Sequence, residues 1–208
     1  MLELEKKYVL LTAHPDDEII FFGAMLPYIK KIICCSNNYL DLSGKKHKQG
    51  NSALKEIGQI IKTEIVCLDY DRNFYKLSTF HNELYNFSQE VLQLIKKEKI
   101  IFTHNFWGEY GNFDHIFIHQ LAKTTCRKII TTDTCINAQI GEGHAEWFPI
   151  KQFNTGKDLG EFFFDANLYE ECKRVYESYK CWTWHLSMIN SVRLREIGNY
   201  PTRKITNV

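Results

Sequence analysis

Short apolar runs alternate along this chain with longer stretches whose apolar residues recur every three to four positions. The runs Tyr8 to Ala13 (YVLLTA), Lys31 to Ser36 (KIICCS), Thr63 to Leu68 (TEIVCL), Ile100 to Thr103 and Lys128 to Thr132 read as buried strands. A strand covered on both faces carries apolar side chains at successive positions rather than in alternation. Between these runs, Ile19 to Ile29, Lys46 to Lys62, Phe80 to Lys97 and Asp114 to Cys126 read as helices. Ala53, Leu54, Ile57, Ile60 and Ile61 lie on one helical face, as do Leu84, Phe87, Val91, Leu92 and Ile95.

Strands that alternate with helices of this length form parallel β-α-β units with right-handed connections. The pattern therefore predicts an α/β fold: a Rossmann-like, doubly wound, mostly parallel sheet flanked by helices, with strand order 3-2-1-4-5. Strands 1 and 4 then meet at the switch point, and ligands bind outside the carboxyl ends of such strands. Beyond about residue 133 the pattern weakens. Residues 137–160 are glycine-rich, aromatic and loop-like, a helix is expected over Asn167 to Tyr179, and the last eight residues look frayed. The expected organisation is one domain over 1–208, with a core at about 8–133 and a loop-rich C-terminal cap at about 134–208.

Composition excludes several classes. The 208 residues are 44% apolar and 25% charged, which fits a folded domain and not a disordered chain. Lys plus Arg is 26 and Asp plus Glu is 25, so the basic excess that drives nonspecific nucleic-acid binding is missing. The cluster Lys45-Lys46-His47-Lys48 reads as a solvated helix entry. No run reaches the ~18 apolar residues of a membrane span. Seven cysteines, an odd number at irregular spacing and without C-x-x-C, read as free thiols in a reducing compartment. The expected location is cytoplasmic, and the sequence is silent on oligomeric state.

The chemistry concentrates in two loops. The first strand runs into Ala13-His14-Pro15-Asp16-Asp17-Glu18. Neither the dinucleotide nor the P-loop glycine fingerprint is present. Three adjacent carboxylates at a strand end repel one another, and a divalent cation relieves that repulsion. Histidine nitrogen and aspartate oxygen suit zinc or ferrous iron equally. Pro15 stiffens the turn so that His14 and Asp17 can converge. The alternative is that Asp16 or Asp17 merely caps the next helix. The second loop, after strand 4, runs from Thr103-His104-Asn105 to Asp114-His115. His115, at the following helix N-terminus, supplies a third ligand and leaves positions for water and substrate. His119 stands one turn further on, without the Glu of a protease motif, and reads as packed or surface histidine.

These residues resemble the LmbE-like, or PIG-L, family of metal-dependent N-acetylglucosaminyl deacetylases. The family motif A-H-P-D-D-E is complete at Ala13 to Glu18. Its second element, H-P-D-H or a variant after Gly-Glu-Tyr-Gly, here reads Gly108-Glu109-Tyr110-Gly111-Asn112-Phe113-Asp114-His115. The resemblance spans roughly residues 8–130. It implies His14, Asp17 and His115 as metal ligands and Asp16 as general base. It also implies a catalytic place for Asp114, as the acidic residue between the two histidines, and for Asn112, where the family carries an oxyanion-stabilising histidine. An asparagine can donate a hydrogen bond there but cannot be an imidazolium. The implied reaction is metal-dependent hydrolysis of the acetamide of an N-acetylated amino sugar or its conjugate, with Zn2+ or Fe2+ as cofactor.

Three readings of Asn112 follow: a slower enzyme with Asp16 as sole proton carrier, replacement of the lost histidine by His104 or His144, or a sugar- and metal-binding protein without turnover. A nucleotide-binding Rossmann domain is a further alternative, disfavoured by the absent glycine fingerprint. Aromatic residues make up 14% of the chain, and sugars stack on aromatic faces. Trp107, Trp147 and His144 are expected near substrate, and Lys46 corresponds to the basic residue that the resemblance implies there. The expected partner is a small N-acetylated sugar or conjugate, not nucleic acid.

Overall fold

All five residues of Tyr8–Thr12 are buried in the computed structural model, which describes residues 6–36, 39–40, 46–47, 49–71, 81–126, 128–138, 145–149, 156–182 and 190–198. In chain order the elements are β1 (Tyr8–Thr12), α1 (Asp17–Ile20), a 3-10 turn (Gly23–Tyr28), β2 (Ile29–Ser36), β3 (Tyr39–Leu40), β4 (Lys46–His47), α2 (Gly50–Ile60), β5 (Glu64–Tyr70) and α3 (His81–Ile95). There follow β6 (Ile100–Thr103), α4 (Gly108–Gly111), α5 (Phe113–Thr125), β7 (Lys128–Thr132), β8 (Thr134–Ala138), β9 (Ala145–Pro149), β10 (Lys157–Phe163), α6 (Ala166–Ser178) and β11 (Ser191–Gly198).

The main sheet has seven strands in the order β10-β11-β7-β6-β1-β2-β5. Five of them, β5-β2-β1-β6-β7, are parallel and reproduce the expected 3-2-1-4-5 order. Each pleat sends alternate side chains to opposite faces. Leu10, Ile32, Phe102 and Ile130 meet Ala53 and Ile57 of α2, Phe21, Phe22 and Met25, and Cys172, Val175 and Tyr176 of α6. On the other face Val9, Leu11, Ile33, Ile101 and Ile129 meet Phe87, Val91 and Ile95 of α3 and Ile118, Leu121 and Ala122 of α5. Both faces are covered, which is why β1 tolerates no polar alternation. Truncating a side chain such as Leu10 to Ala there costs about 2–5 kcal/mol.

The structure departs from the sequence reading in three places. The helix expected over Ile19 to Ile29 is split into α1 and a 3-10 turn, with β2 starting at Ile29. Pro27 sits inside that turn, and a residue without an N–H cannot sustain the i→i−4 ladder of an α-helix. The helix expected from Lys46 starts instead at Gly50, and Lys46 lies on β4, paired with β3. Gly50 packs on Pro15 of the first polar loop: a Cβ at this position would stand 2.8 Å from Pro15 Cγ.

The third difference concerns the C-terminal residues. β11 pairs antiparallel with β7 and β10 with β11, so this segment extends the sheet at its β7 edge instead of only capping an end. Within residues 137–160, β8 and β9 form an antiparallel pair. Val192 and Leu194 are buried between the arginines Arg193 and Arg195, a strand alternation that the charged residues obscure in sequence. The last eight residues, expected to fray, lie outside the described residues. Among the described residues, no helix is long and apolar enough to cross a membrane.

Candidate active site

Adjacent strands β1 and β6 end at the switch point, and each carboxyl end delivers one of the two polar loops. His14 lies two residues past β1, and Asp17 opens α1. His104 follows β6 directly, and His115 is carried near the N-terminus of α5. The turn between His14 and Asp17 is tight. The His14 N–H donates to Asp17 Oδ2 at 2.7 Å, and Asp16 takes a left-handed backbone, φ 93°. The Asp16 carbonyl accepts from the N–H groups of Ile19 and Ile20, which starts α1. Asp16 does stand at the N-cap position, but its side chain caps nothing there.

His14, Asp17 and His115 offer ligand atoms that all lie within 4.8 Å of one another, and all three residues are buried. His14 Nδ1 is 3.1 Å from His115 Nε2, and His115 Nε2 is 3.4 Å from Asp17 Oδ1. The opposite nitrogen of each ring meets a second carboxylate. His14 Nε2 is 3.0 Å from Asp114 Oδ2, and His115 Nδ1 is 2.7 Å from Glu109 Oε2. Two outer carboxylates therefore turn both rings inward, the arrangement that orients histidine ligands of metals.

A divalent cation needs neutral imidazoles and ionised carboxylates. Burial, and next the charge of His104, push His115 down to about 4, so its ring is neutral at ordinary pH. Burial alone would raise Asp17, but the adjoining imidazoles of His115 and His104 and hydrogen bonds from His104 and His14 outweigh it and hold Asp17 well below the usual carboxylate range. All three donors are of types that bind a divalent metal, and His115 and Asp17 are held in the protonation states that such binding needs.

A second group, His104, Glu109 and His115, is also compact enough for an ion. Its chemistry fits less well. Burial alone would lower His104, but the carboxylates of Glu109 and Asp17 bring it up to about 10. Both His104 nitrogens are engaged, Nδ1 with Glu109 and Nε2 with Asp17 and with the Ala13 N–H, which donates to it at 3.0 Å. Glu109 is held down to about 2, because the charge of His104 and hydrogen bonds from His104 and His115 outweigh its burial. His104 lies between two carboxylates, 3.0 Å from Glu109 and 3.2 Å from Asp17, and its ring stacks on that of His115 with centroids 3.7 Å apart.

Glu109 is the residue that sequence reasoning overlooked. Its signal was present in the flanking Gly108 and Gly111, which mark a backbone with positive φ. Gly108 has φ 68° and Glu109 φ 57°, and a Cβ on Gly108 would stand 3.0 Å from Ile116 Cγ1 and 3.3 Å from His115 Cβ. This tight crossing tucks the carboxylate under the two histidines, where Asn105 N–H also donates to it at 2.8 Å.

Asn112 is the N-cap of α5: its Oδ1 accepts from Asp114 N–H at 2.8 Å, and its Nδ2 donates to Tyr110 Oη at 2.8 Å. Asp114 is brought against His14. His119 is buried and its Nδ1 donates to the His104 carbonyl at 2.7 Å. Trp107 stands 57% exposed, stacked on Phe106. The side chains of Lys46 and Trp147 and the whole of His144 lie outside the described residues.

A further cluster joins this turn to the C-terminal helix. Glu18 is fully buried and accepts from Tyr176 Oη at 2.8 Å, and burial pushes its carboxyl up to about 8. No local sequence feature separates Tyr176 from an ordinary core position, since Tyr169, Cys172, Val175 and Tyr176 make up the buried face of α6.

Known proteins resemble this chain at several levels. Residues 9–126 match the family model described as PIG-L, GlcNAc-PI de-N-acetylase. An uncharacterized protein of Acanthamoeba polyphaga mimivirus is 27% identical over 128 residues, covering 54% of this chain and 55% of that protein. The chain thus spans about half the length of the curated relative it matches. Among solved structures, the antimicrobial reagent A40926 pseudoaglycone deacetylase superposes with a TM-score of 0.57 at 9% identity, over 94% of this chain and 99% of that one. A triple mutant of a deacetylase of the teicoplanin biosynthetic pathway gives 0.50 at 11% identity, over 84% and 82%. At such identities the likeness is one of fold.

Proposed function

The chain belongs to the PIG-L (GlcNAc-PI de-N-acetylase) family, and from that premise we propose that it is a metal-dependent hydrolase removing the acetyl group from an N-acetylated amino sugar or its conjugate. The observation that carries this reading is the paired orientation of the two histidines. His14 and His115 each give one nitrogen to a buried carboxylate and turn the other toward Asp17.

His14, Asp17 and His115 would hold zinc or ferrous iron. Such a cation lowers the pKa of a water molecule and polarises the acetamide carbonyl. Asp16, in the same turn, removes the water's proton and delivers it to the departing amine. With an asparagine at position 112, Asp16 is the sole proton carrier. The Asn112 amide has two hydrogens; one goes to Tyr110, and the other is the donor we assign to the tetrahedral oxyanion. Relative to an imidazolium, this weaker donor costs about 2–4 kcal/mol of transition-state stabilisation, by analogy with loss of an oxyanion donor. Asp114 orients His14, and Glu109 orients His115. Trp107 gives the sugar face a surface to stack on.

The test is release of free amine from a panel of N-acetylated amino sugars: free, nucleotide-linked, lipid-linked and as antibiotic glycosides. Release that a chelator abolishes and added zinc or ferrous iron restores supports the reading. Release that persists in the metal-stripped protein contradicts it.

A further inference from the structure

We propose that Tyr176, on the C-terminal helix α6, is a positioning residue for Asp16. The inference rests on the reading of Asp16 as general base. It concerns a side chain 160 positions away and outside the 9–126 stretch that matches the family model.

Asp16 holds φ 93° and ψ −26°, a left-handed conformation that disfavours any residue with a Cβ. Such a backbone persists only where its surroundings over-determine it. The carbonyl of Asp16 is spent on starting α1. Its N–H points the other way, 2.9 Å from Tyr176 Oη and 3.1 Å from Glu18 Oε2. Tyr176 Oη in turn donates to Glu18 Oε1 at 2.8 Å. Two donors and three acceptor oxygens close a ring of three residues that is shut off from water, with Tyr176 and Glu18 fully buried and Asp16 7% exposed. A buried N–H without an acceptor is disfavoured, so the hydroxyl and the Glu18 carboxyl oxygen together fix the peptide on which the base is mounted.

Tyr176 is itself held. Its ring lies in the core among residues of α1, α2 and α6 and sits 6.4 Å from the Trp182 ring. The metal-ligand candidates on either side of Asp16 do not depend on this ring of bonds. His14 and Asp17 are tied to each other through the His14 N–H, and to Asp114 and His104 through their side chains. Removing the Tyr176 hydroxyl therefore loosens the base while the ligands stay in place.

The variants are Tyr176→Phe, which keeps the ring, and Glu18→Gln, which keeps one carbonyl acceptor. Each is compared with wild type in the metal-loaded protein, measuring bound metal and steady-state amine release. Misplacing a base by about 1 Å costs up to roughly 100-fold. Tyr176→Phe is expected to lower kcat by about 10–100-fold, with KM within about twofold and metal content unchanged. Glu18→Gln gives a smaller loss of the same kind and serves where Tyr176→Phe does not fold. On an Asp16→Asn background, Tyr176→Phe is expected to cause no further loss, because the group it positions has gone. Unchanged kcat in an active wild-type background overturns the proposal. So does a loss that comes with lost metal or that recurs in full on the Asp16→Asn background. A wild type that releases no amine overturns the reading of Asp16 itself, an outcome separate from any effect of Tyr176.

Discussion

Glu109 Oε2 stands 2.7 Å from His115 Nδ1, and both residues are fully shut off from solvent. The same oxygen is 3.0 Å from His104 Nδ1, so one carboxylate fixes two stacked imidazoles. Outer carboxylates of this kind set ring orientation and ligand basicity, and losing one costs about 10–100-fold in metal affinity or activity. Glu109→Gln is therefore expected to weaken zinc binding by about 10–100-fold, read by competition with a chelator of known affinity. Affinity equal to wild type in a folded variant contradicts the assignment.

Asn112, where the family resemblance implies a histidine, caps α5 through Asp114 N–H. Replacing an N-cap asparagine by alanine removes an acceptor for a free helix N–H and costs about 1 kcal/mol. Asn112→Ala is expected to lower unfolding free energy by that amount in urea titration, while Asn112→Ser retains most of it. Equal losses in the two variants would show that capping is not what the asparagine contributes to stability.

His119 is buried with its Nδ1 donating to the His104 carbonyl, and burial holds its pKa down at about 4. In the unfolded chain it titrates at about 6.5. Between these values the unfolded chain binds a proton that the native protein does not, so acid favours unfolding. Stability is expected to fall as pH drops from about 6.5 to about 4, by on the order of 3 kcal/mol from this residue, and His119 contributes no further change below that. His119→Asn, whose amide can keep the bond to the carbonyl, should flatten that part of the profile in denaturation measured against pH. An unchanged slope contradicts the prediction.

Trp107 is 57% exposed within the second loop. A solvent-facing ring that stacks on the sugar contributes to binding in the ground state and transition state alike. Trp107→Ala is expected to raise KM several-fold with kcat nearly unchanged, and stability should move by less than about 0.5 kcal/mol. A fall in kcat at constant KM would place the ring's contribution in the chemical step instead.

Much of this arrangement was legible because it is local or periodic. The strand order followed from alternating apolar runs, and the switch-point rule directed attention to the loops holding His14, Asp17 and His115. What escaped depends on geometry that spacing does not encode. Glu109 reaches His115 only because Gly108 and Glu109 adopt left-handed backbones. Tyr176 occupies a core position on α6, and its hydroxyl finds Asp16 and Glu18 only through packing across 160 and 158 positions. The start of α2 differs because Lys46 and His47 pair with Leu40 and Tyr39, a pairing that periodicity does not encode. The edge strand β11 was hidden by the arginines that alternate with its buried residues.

The measurement that bears most directly on the account is amine release by Asp16→Ala beside wild type, at matched and measured metal content. The account predicts one metal per chain in both proteins and a loss of about 100- to 10,000-fold in hydrolysis in the variant, the usual contribution of a general base. Hydrolysis that survives in Asp16→Ala, or wild-type protein that hydrolyses the acetamide without binding metal, would contradict it.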